Sequence, residues 1–280
     1  MKLLDGKQVS EDILVSVAQD ICSFNLHPTL GVVLVGNDSA SHLYVTLKER
    51  AASRVGIRVE KHFLSEYATQ EDVESVIRSL NEDKQIHGIL IQLPLPAHLD
   101  TDAIIGAMLP EKDVDGFHPE NERKLLAGVL AFPPVFPRAI LELARSSGEV
   151  LREKHAVIIG NSARFGDMMC AVFAREGVVS DFLFQSEYAL VEGIESMKKA
   201  DIVVTACGKA HMIKGHSLSS GVILIDGGIV TEEGKVIGDV DCPSVEHLGG
   251  YLSPVPGGVG PVTIACLLAN VVMSAMHFEK

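Results

Sequence analysis

The sequence of 280 residues predicts an α/β protein built of two α/β domains with a cleft between them, the second a Rossmann-like nucleotide-binding domain. Short apolar runs alternate with longer amphipathic stretches, the pattern of strands joined by crossover helices. This alternation is interrupted at a proline cluster, 132–137, and then resumes. The second series opens on a strand that runs into a glycine turn and a helix, as nucleotide-binding domains do.

The first series predicts three strands and two helices. Gly56 should stop the first helix, and Thr69 with Asp72 has the spacing of a capping box at the start of the second. Beyond them the sequence predicts a short acidic helix from Asp100 and a turn-rich segment over 110–121. The predicted strands are 30–36, 57–64 and 88–92, and the predicted helices are 39–55 and 69–80.

The second series follows the proline cluster, which we interpret as a linker or hinge. It ends in a proline-glycine loop, 254–261, and a helix that reaches about residue 277. We expect residues 1–130 plus 262–280 to form one domain and residues 131–261 the nucleotide-binding domain. The predicted strands are 155–159, 179–184, 201–206 and 222–226, and the predicted helices are 166–176 and 191–199.

Composition excludes several classes of function. Hydrophobic residues make up 47% of the chain, and 24 Lys and Arg stand against 37 Asp and Glu, a net charge of −13. So acidic a chain is not expected to bind nucleic acid or an anionic membrane. No apolar run approaches the roughly 18 residues of a membrane span, and no secretory signal is evident. Five scattered cysteines favour a reducing, cytoplasmic location over disulfides or a zinc site.

Three side chains in the first series could carry chemistry. Tyr44 and Lys48 stand four residues apart on a predicted helix and therefore share one face. They are either a half-buried tyrosine beside an extended lysine, or a lysine desolvated until it exchanges protons near neutral pH, with the tyrosine ring as a stacking surface. Gln92 ends a predicted strand, where open α/β sheets place ligands.

Two carboxylates in the turn-rich segment allow two interpretations. Asp113 and Asp115 lie in Lys112-Asp-Val-Asp-Gly-Phe-His118 and either shape a turn or face a ligand. With His118 they lack a recognisable metal-ligand spacing, so no metal is expected. The proline-glycine loop is too glycine-rich for packing alone and suggests close approach of the backbone to a ligand.

The glycine turn of the second series is Gly160-Asn-Ser-Ala-Arg-Phe-Gly166. Its spacing departs from G-x-G-x-x-G, so a plain tight turn competes with phosphate binding by backbone N–H groups. The next strand leads into Gln185-Ser186-Glu187, roughly where a Rossmann-type domain contacts the adenosine ribose. A carboxylate there favours a free 2′-hydroxyl over a 2′-phosphate.

Taken in order, these segments resemble the bifunctional methylenetetrahydrofolate dehydrogenase/methenyltetrahydrofolate cyclohydrolase family over nearly the whole chain. The match is carried by long segments with the family's residues in sequence. They are Val35-Gly-Asn-Asp-Ser-Ala-Ser-His-Leu-Tyr-Val-Thr-Leu-Lys48, Gly88-Ile-Leu-Ile-Gln-Leu-Pro-Leu-Pro96, Lys112-Asp-Val-Asp-Gly-Phe-His-Pro119, Gly238-Asp-Val-Asp241 and Pro254-Val-Pro-Gly-Gly-Val-Gly-Pro261.

The resemblance implies a role for each matching residue. Lys48 would transfer protons in the cyclohydrolase step, Gln92 would tune it, Tyr44 would stack on the aminobenzoate ring, and Asp115 would accept hydrogen bonds from the pterin. Hydride transfer would need only the nicotinamide held against the methylene carbon. The other implied folate-binding residues are Ser41, Pro256, Gly257 and Gly258. The implied cofactor-binding residues are Gly160, Asn161, Ser162, Arg164, Gly166, Ser186 and Ile229.

Departures from the family pattern concentrate at the cofactor. Asn161 replaces an arginine that helps to hold the NADP 2′-phosphate, and Glu187 replaces a basic residue, although Arg164 could restore one charge. We therefore expect a folate enzyme, in its family's usual homodimer, that uses NADP or NAD. The alternatives are an NAD-preferring enzyme, a cyclohydrolase alone, or a non-catalytic protein that binds folate or nucleotide, for which the Tyr44, Lys48, Gln92 and Asp115 set would be unnecessary.

Overall fold

The computed structural model describes residues 1–129, 132–188 and 191–278, and its contacts divide the chain into two compact units. What we call the three-stranded unit comprises the described residues of Glu11–Lys124, Val129–Val135 and Ile264–Lys280. What we call the six-stranded unit comprises those of Met1–Ser10, Leu125–Gly128 and Phe136–Thr263.

Helices and strands alternate through most of the described chain. The strands are β1 Lys2–Leu3, β2 Thr29–Val35, β3 Arg58–Leu64, β4 Gly88–Ile91, β5 His155–Gly160, β6 Val179–Phe184, β7 Ile202–Ala206, β8 Ile223–Asp226, β9 Val230–Glu232, β10 Lys235–Ile237 and β11 Tyr251–Leu252. The α-helices are α1 Gly6–Ser23, α2 Ser39–Val55, α3 Gln70–Glu82, α4 Thr101–Gly106, α5 Pro119–Leu126, α6 Val135–Ser146, α7 Ala163–Arg175, α8 Gln185–Tyr188, α9 Val191–Met197, α10 Cys242–Val245 and α11 Val259–Phe278.

The three-stranded unit holds a parallel sheet in the order β3-β2-β4. Every residue of β2 is buried, as expected for the central strand of a parallel sheet covered by helices. Gly56 ends α2 in the left-handed region, with φ of 88°, and Thr69 and Asp72 form the predicted capping box at the start of α3. The strands therefore end together at one edge, from which α2 and the segment after β4 depart.

A buried lysine of this unit binds the carboxyl end of α3. Lys112 is 2% exposed, and its ammonium group donates to the carbonyl oxygens of Leu80, Asn81 and Asp83 at 2.7–2.8 Å. Those carbonyls lie at the end of α3, where a helix has acceptors without intrahelical donors and a negative partial charge. The lysine of the Lys-Asp-Val-Asp segment is therefore a helix cap.

The six-stranded unit holds a parallel sheet in the order β1-β11-β8-β7-β5-β6. From β5 the chain moves outward to the edge strand β6 and then returns to the other side of β5 at β7. This reversal is the topological switch point at which doubly wound α/β sheets bind nucleotides, outside the carboxyl ends of the strands. The glycine turn that follows β5 lies at that point.

The chain passes between the two units inside the proline cluster, where a linker was predicted, but the start of a helix there and the other domain boundaries differ from the prediction. Helix α6 begins at Val135, inside the segment interpreted as a linker or hinge, because a proline in the first turn of a helix gives up no intrahelical hydrogen bond. Residues 130 and 131 of that region lie outside the described residues. The first ten residues belong to the six-stranded unit and not to the first predicted domain, because β1 pairs with β11.

The last helix corrects the expectation about apolar runs. Within the described residues, α11 is 20 residues long and apolar enough to cross a membrane by length and composition. Most of it is buried inside the protein, and Asn270 and Ser274 on it are fully buried. A helix that is apolar on all sides is typical both of membrane spans and of buried helices in the core of a large protein. The burial of α11 agrees with a core helix.

Candidate active site and nucleotide site

The two predicted polar residues of the three-stranded unit meet at the carboxyl edge of its sheet. Helix α2 carries Lys48, and Gln92 follows the last residue of β4. The Lys48 Nζ atom donates to Gln92 Oε1 at 2.9 Å, while Gln92 Nε2 donates to the carbonyl of Leu93 at 2.7 Å. The second bond fixes the amide so that its oxygen faces the lysine. Gln92 is buried, and its two hydrogen bonds fix its position relative to Lys48.

Burial and the neighbouring carboxylate shift the pKa of this lysine in opposite directions. Burial lowers the pKa of Lys48, and the negative charge of Asp115 opposes that shift. Burial also raises the pKa of Asp115, to about 6, with Lys48 lowering it and Asp113 adding to the rise. Lysines and carboxylates whose pKa values move toward neutrality are characteristic of acid–base sites. The lowered pKa is the one that the desolvated interpretation of Lys48 requires, and proton exchange by this lysine stays a prediction.

The two carboxylates of the turn-rich segment have different surroundings. Asp113 is fully buried, and its side chain accepts from the backbone N–H groups of Gly116, Phe117 and His118 at 2.8–3.2 Å and from Asn121 Nδ2 at 2.9 Å. It therefore shapes the turn. Asp115 is partly exposed and electrostatically coupled to Lys48, so it is the carboxylate that remains for a ligand.

The remaining predicted residues of α2 are divided between structure and surface. The Ser41 hydroxyl donates to Asp38 Oδ2 at 2.8 Å, and the same oxygen accepts from the Ser41 backbone N–H. Ser41 is thus held in the cap of α2, and its folate contact stays a prediction. Tyr44 is 41% exposed, one helical turn before Lys48. Its ring is exposed on the face of the lysine, and stacking on a folate ring stays a prediction.

A cavity of about 550 Å³ opens at the same edge of the sheet. Its lining includes Asn37 and Asp38 from the β2–α2 connection, Tyr67, and Pro94 and His98 from the segment after β4. Its volume lies within the range of sites for small organic ligands. Pro256, Gly257 and Gly258 belong to the six-stranded unit, and their contact with substrate stays a prediction.

The glycine turn of the six-stranded unit is built around two aromatic rings. A Cβ atom at Gly166 would lie 2.5 Å from the ring of Phe182, and one at Gly160 would lie 3.1 Å from Phe165. Ser162 is the N-cap of α7, and its side chain accepts from the Phe165 N–H at 3.4 Å. The helix start is exposed, so its N–H groups and positive partial charge face outward, as binding of a pyrophosphate requires.

The other predicted cofactor residues lie around the same carboxyl edge. The Asn161 amide donates to the carbonyl of Cys207 at 2.7 Å, which joins the glycine turn to the loop after β7. Ser186 and Glu187 are exposed after β6, and Glu187 accepts from the Phe184 N–H at 2.8 Å. Ile229 is half exposed after β8, and Arg164 is partly exposed on α7.

Two buried carboxylates at this edge had no predicted role. Asp226 ends β8 and Asp239 lies after β10; both are buried and accept several hydrogen bonds each. Burial raises the pKa of Asp226 to about 6 against the backbone N–H groups that lower it. The Gly-Asp-Val-Asp segment was a signal for Asp239, but a motif alone does not say what its carboxylate contacts.

Comparison with known families decides what this pair of sites belongs to. The family model for the tetrahydrofolate dehydrogenase/cyclohydrolase catalytic domain matches residues 4–115. The model for the NAD(P)-binding domain of the same family matches residues 134–279. The chain belongs to the tetrahydrofolate dehydrogenase/cyclohydrolase family. The predicted family and fold class are thereby confirmed, and the six-stranded unit carries the family's NAD(P)-binding domain.

Individual members of this family align over almost their full length. The Bifunctional protein FolD of Campylobacter concisus (strain 13826) is 41% identical, covering 98% of each chain. A crystal structure of the FolD enzyme of Campylobacter jejuni is 37% identical, with a TM-score of 0.93 over 99% of each chain. The Trypanosoma brucei enzyme, solved with NADP cofactor and an inhibitor, is 30% identical, with a TM-score of 0.92 over 99% of this chain and 97% of that one.

The observed side chains fit the NAD(P) expected of this family. The exposed start of α7 offers N–H donors for a pyrophosphate, the chain reverses beside it, and Ile229 presents an apolar surface at the same edge. These residues would hold the dinucleotide, while the lysine site in the other unit has the donor and acceptor groups for acid–base chemistry.

Proposed function

We propose that this protein oxidises 5,10-methylenetetrahydrofolate to 5,10-methenyltetrahydrofolate with NAD(P) and hydrolyses the methenyl product to 10-formyltetrahydrofolate. The observation that carries the proposal is the Lys48–Gln92 hydrogen bond, with Asp115 electrostatically coupled to the lysine. Membership of the family and the FolD relatives at about 40% identity over the whole chain support both activities. A protein that only binds folate would have no need of a lysine poised to exchange protons.

In the hydrolytic step, water adds to the electrophilic methenyl carbon and loses a proton, and a ring C–N bond then breaks as its nitrogen gains one. A lysine of lowered pKa can serve as the base and then as the acid at the pH of the cell. Gln92 holds the Nζ atom in place through its oxygen. Asp115 keeps a compensating negative charge beside the lysine and, when ionised, accepts hydrogen bonds from N–H groups of the substrate.

For the oxidative step, a bound NAD(P) would supply the acceptor for a hydride from the methylene carbon. This transfer requires no nucleophile from the protein, only close and correct placement of the two carbons. The residues of the six-stranded unit would contribute by binding: the start of α7 would hold the pyrophosphate, and Ser186 and Ile229 would contact the cofactor. The exposed ring of Tyr44 would stack on the aminobenzoate ring of the folate.

The proposal extends to a preference for NAD. Asn161 carries no charge, and its amide already donates to Cys207, while Glu187 places a carboxylate after β6, where the ribose of the cofactor is expected. A 2′-phosphate there would be repelled. We expect kcat/KM for NAD to exceed that for NADP by at least about tenfold, or about 1.4 kcal/mol, in dehydrogenase assays with methylenetetrahydrofolate.

The variant Glu187→Arg should move this ratio toward NADP, and Glu149→Arg is its control. Glu149 is also exposed and lies in the same unit, where it pairs with Lys154. Because it precedes β5, it lies toward the amino ends of the parallel strands, so its replacement makes the same change in charge at the opposite edge of the sheet from the ribose site. Greater turnover with NADP than with NAD in the unmodified enzyme would contradict the preference. Absence of turnover with both, with hydrolysis of the methenyl substrate intact, would leave a cyclohydrolase alone.

The proposal also includes a cytoplasmic homodimer, as the family resemblance implies. The scattered cysteines, none of them in a disulfide among the described residues, are consistent with a reducing compartment. Light scattering on the purified protein should give the mass of two chains. A mass of one chain at micromolar concentration would contradict the dimer.

A further inference from the structure

Two buried carboxylates lie at the carboxyl edge of the six-stranded sheet, next to the predicted cofactor residues. Asp226 is 3% exposed and Asp239 is fully buried. Within the described part of the chain, neither forms an ion pair with a lysine, arginine or histidine. Burying a carboxylate without a cation beside it costs folding free energy unless hydrogen bonds compensate the loss of water. The hydrogen-bond donors around these two carboxylates therefore indicate their role.

Asp239 holds the loop that follows β7. Its Oδ2 atom accepts from the Thr205 hydroxyl at 2.6 Å and from the Cys207 N–H at 2.7 Å. Its Oδ1 atom accepts from the Lys209 N–H at 2.7 Å. Three donors within five residues of chain therefore converge on one side chain, and the loop takes its shape from that carboxylate.

Asp226 connects the end of β8 to the segment that carries Asp239. Its Oδ1 atom accepts from the Gly228 and Asp239 N–H groups at 3.0 and 3.1 Å, and its Oδ2 atom accepts from the Val240 N–H at 2.9 Å. The loop after β8, which leads directly into Ile229, is thereby fixed to the segment after β10.

Two glycines make room for these carboxylates. A Cβ atom at Gly228 would overlap the Asp239 carboxylate, and a Cβ atom at Gly238 would overlap that of Asp226. Both glycines are therefore required by the close approach of the side chains, and the sequence around each carboxylate is adapted to hold it. The two carboxylates and the two glycines that make room for them therefore form one connected arrangement, and neither carboxylate is an isolated polar residue in the core.

The network reaches the glycine turn as well. The Asn161 amide donates to the carbonyl of Cys207 at 2.7 Å, and the N–H of Cys207 donates to Asp239. A continuous hydrogen-bonded path thus runs from the turn before α7, through Cys207, Asp239 and Asp226, to the loop that bears Ile229. Both ends of this path are residues expected to bind the cofactor.

We infer that Asp226 and Asp239 are positioning residues of the NAD(P) site, which hold the loops after β7 and β8 in the conformation that receives the dinucleotide. The inference rests on the proposed function, in that it takes NAD(P) as the ligand. Neither carboxylate need touch the cofactor, since each acts through the backbone N–H groups that it holds. Apolar residues of similar size could fill a core but could not orient these loops.

The variant Asp239→Asn tests the inference because it keeps the size of the side chain and replaces one acceptor oxygen with a donor. We expect the Kd for NAD, and for NADP if it binds, to rise at least tenfold by calorimetry on the cofactor-free protein. Amide hydrogen exchange should quicken at Cys207 and Lys209. In kinetics, KM for the cofactor should rise with kcat within about threefold. Cyclohydrolase activity, which depends on Lys48 in the other unit, should stay within twofold.

The matched control is Asp181→Asn. This carboxylate is exposed on β6 and pairs with His155 at 2.8 Å, so the same substitution in the same unit should leave cofactor affinity unchanged. The second test variant is Thr205→Val, which removes one donor to Asp239 and is nearly isosteric. It should raise the Kd by about threefold, and it decides the matter if Asp239→Asn fails to fold.

Several results would overturn the inference. If Asp239→Asn binds the cofactor as tightly as the unmodified protein does, the two carboxylates do not position the site. If Asp239→Asn is unfolded, the same conclusion follows from equally tight binding by Thr205→Val. If Asp181→Asn weakens binding as much, the effect is not specific to the network. If the unmodified protein binds neither NAD nor NADP, the dehydrogenase half of the proposed function fails as well, and the two failures are thereby distinguished.

Discussion

Replacing Lys48 with methionine should lower the cyclohydrolase turnover number by about 10²–10⁴-fold, the usual contribution of general acid–base catalysis. Methionine keeps the length and the apolar stem of the side chain but removes the group that donates to Gln92. Burial already disfavours the charge of Lys48, so the fold should tolerate the neutral side chain. The measurement is the rate of loss of methenyltetrahydrofolate absorbance, corrected for uncatalysed hydrolysis.

The variant Lys61→Met is the matched control. This lysine lies on β3 of the same unit, and its ammonium pairs with Glu49 at 2.7 Å. Its loss should leave hydrolysis within about twofold, because an exposed ion pair is worth little. Lys48→Met should still bind folate and NAD(P) with nearly unchanged Kd. Hydrolysis at the normal rate in this variant would refute the role of Lys48.

The segments that the sequence predicted well are those whose boundaries depend on local chemistry. Gly56 ended α2 because glycine adopts the left-handed conformation without strain, and Thr69 with Asp72 capped α3 through contacts three residues apart. The chain passes between the two units inside the proline cluster, but the start of α6 there was not predicted, because a proline signals either a break or the first turn of a helix. Strand β1, only two residues long, is defined by its pairing with β11, which no local pattern reveals.

The candidate site shows the same division. Strand and helix periodicity placed Lys48 and Gln92 correctly, because the end of a strand and the face of a helix are determined by residues that are close in sequence. Spacing could not separate Asp113 from Asp115, because the two differ in what they contact across the turn and not in their neighbours in sequence. The roles of Asp226 and Asp239 depend on loops from distant parts of the chain meeting at one edge of a sheet.

The stability of the protein should therefore respond differently when each of the two carboxylates of the turn is replaced by an amide. Asp113→Asn should lower the free energy of unfolding by about 3 kcal/mol, because a fully buried carboxylate that accepts four hydrogen bonds loses acceptors and leaves N–H groups unpaired. Asp115→Asn should leave stability equal or higher at pH 7.5. Urea-induced unfolding followed by circular dichroism measures both.

The raised pKa of Asp115 determines how Asp115→Asn changes the free energy of unfolding. The folded protein holds this proton up to about pH 6, whereas the unfolded chain releases it near the ordinary value of 3.8. The carboxyl group therefore favours the folded state less and less as pH rises from about 4 to about 6, and its full cost is present at pH 7.5. An asparagine has no such cost, so its unfolding free energy should lose that part of the pH dependence.

Activity should separate the same two residues. Asp115→Asn should reduce cyclohydrolase kcat/KM at least tenfold, and it should abolish the fall in activity that we expect below about pH 6, where Asp115 becomes protonated. Asp113→Asn, measured well below its unfolding midpoint, should keep that acidic fall, because its Asp115 still titrates beside Lys48. If both variants lost the acidic fall equally, or if Asp115→Asn were the less stable of the two, the assignment of Asp113 to the turn and Asp115 to the substrate would be wrong.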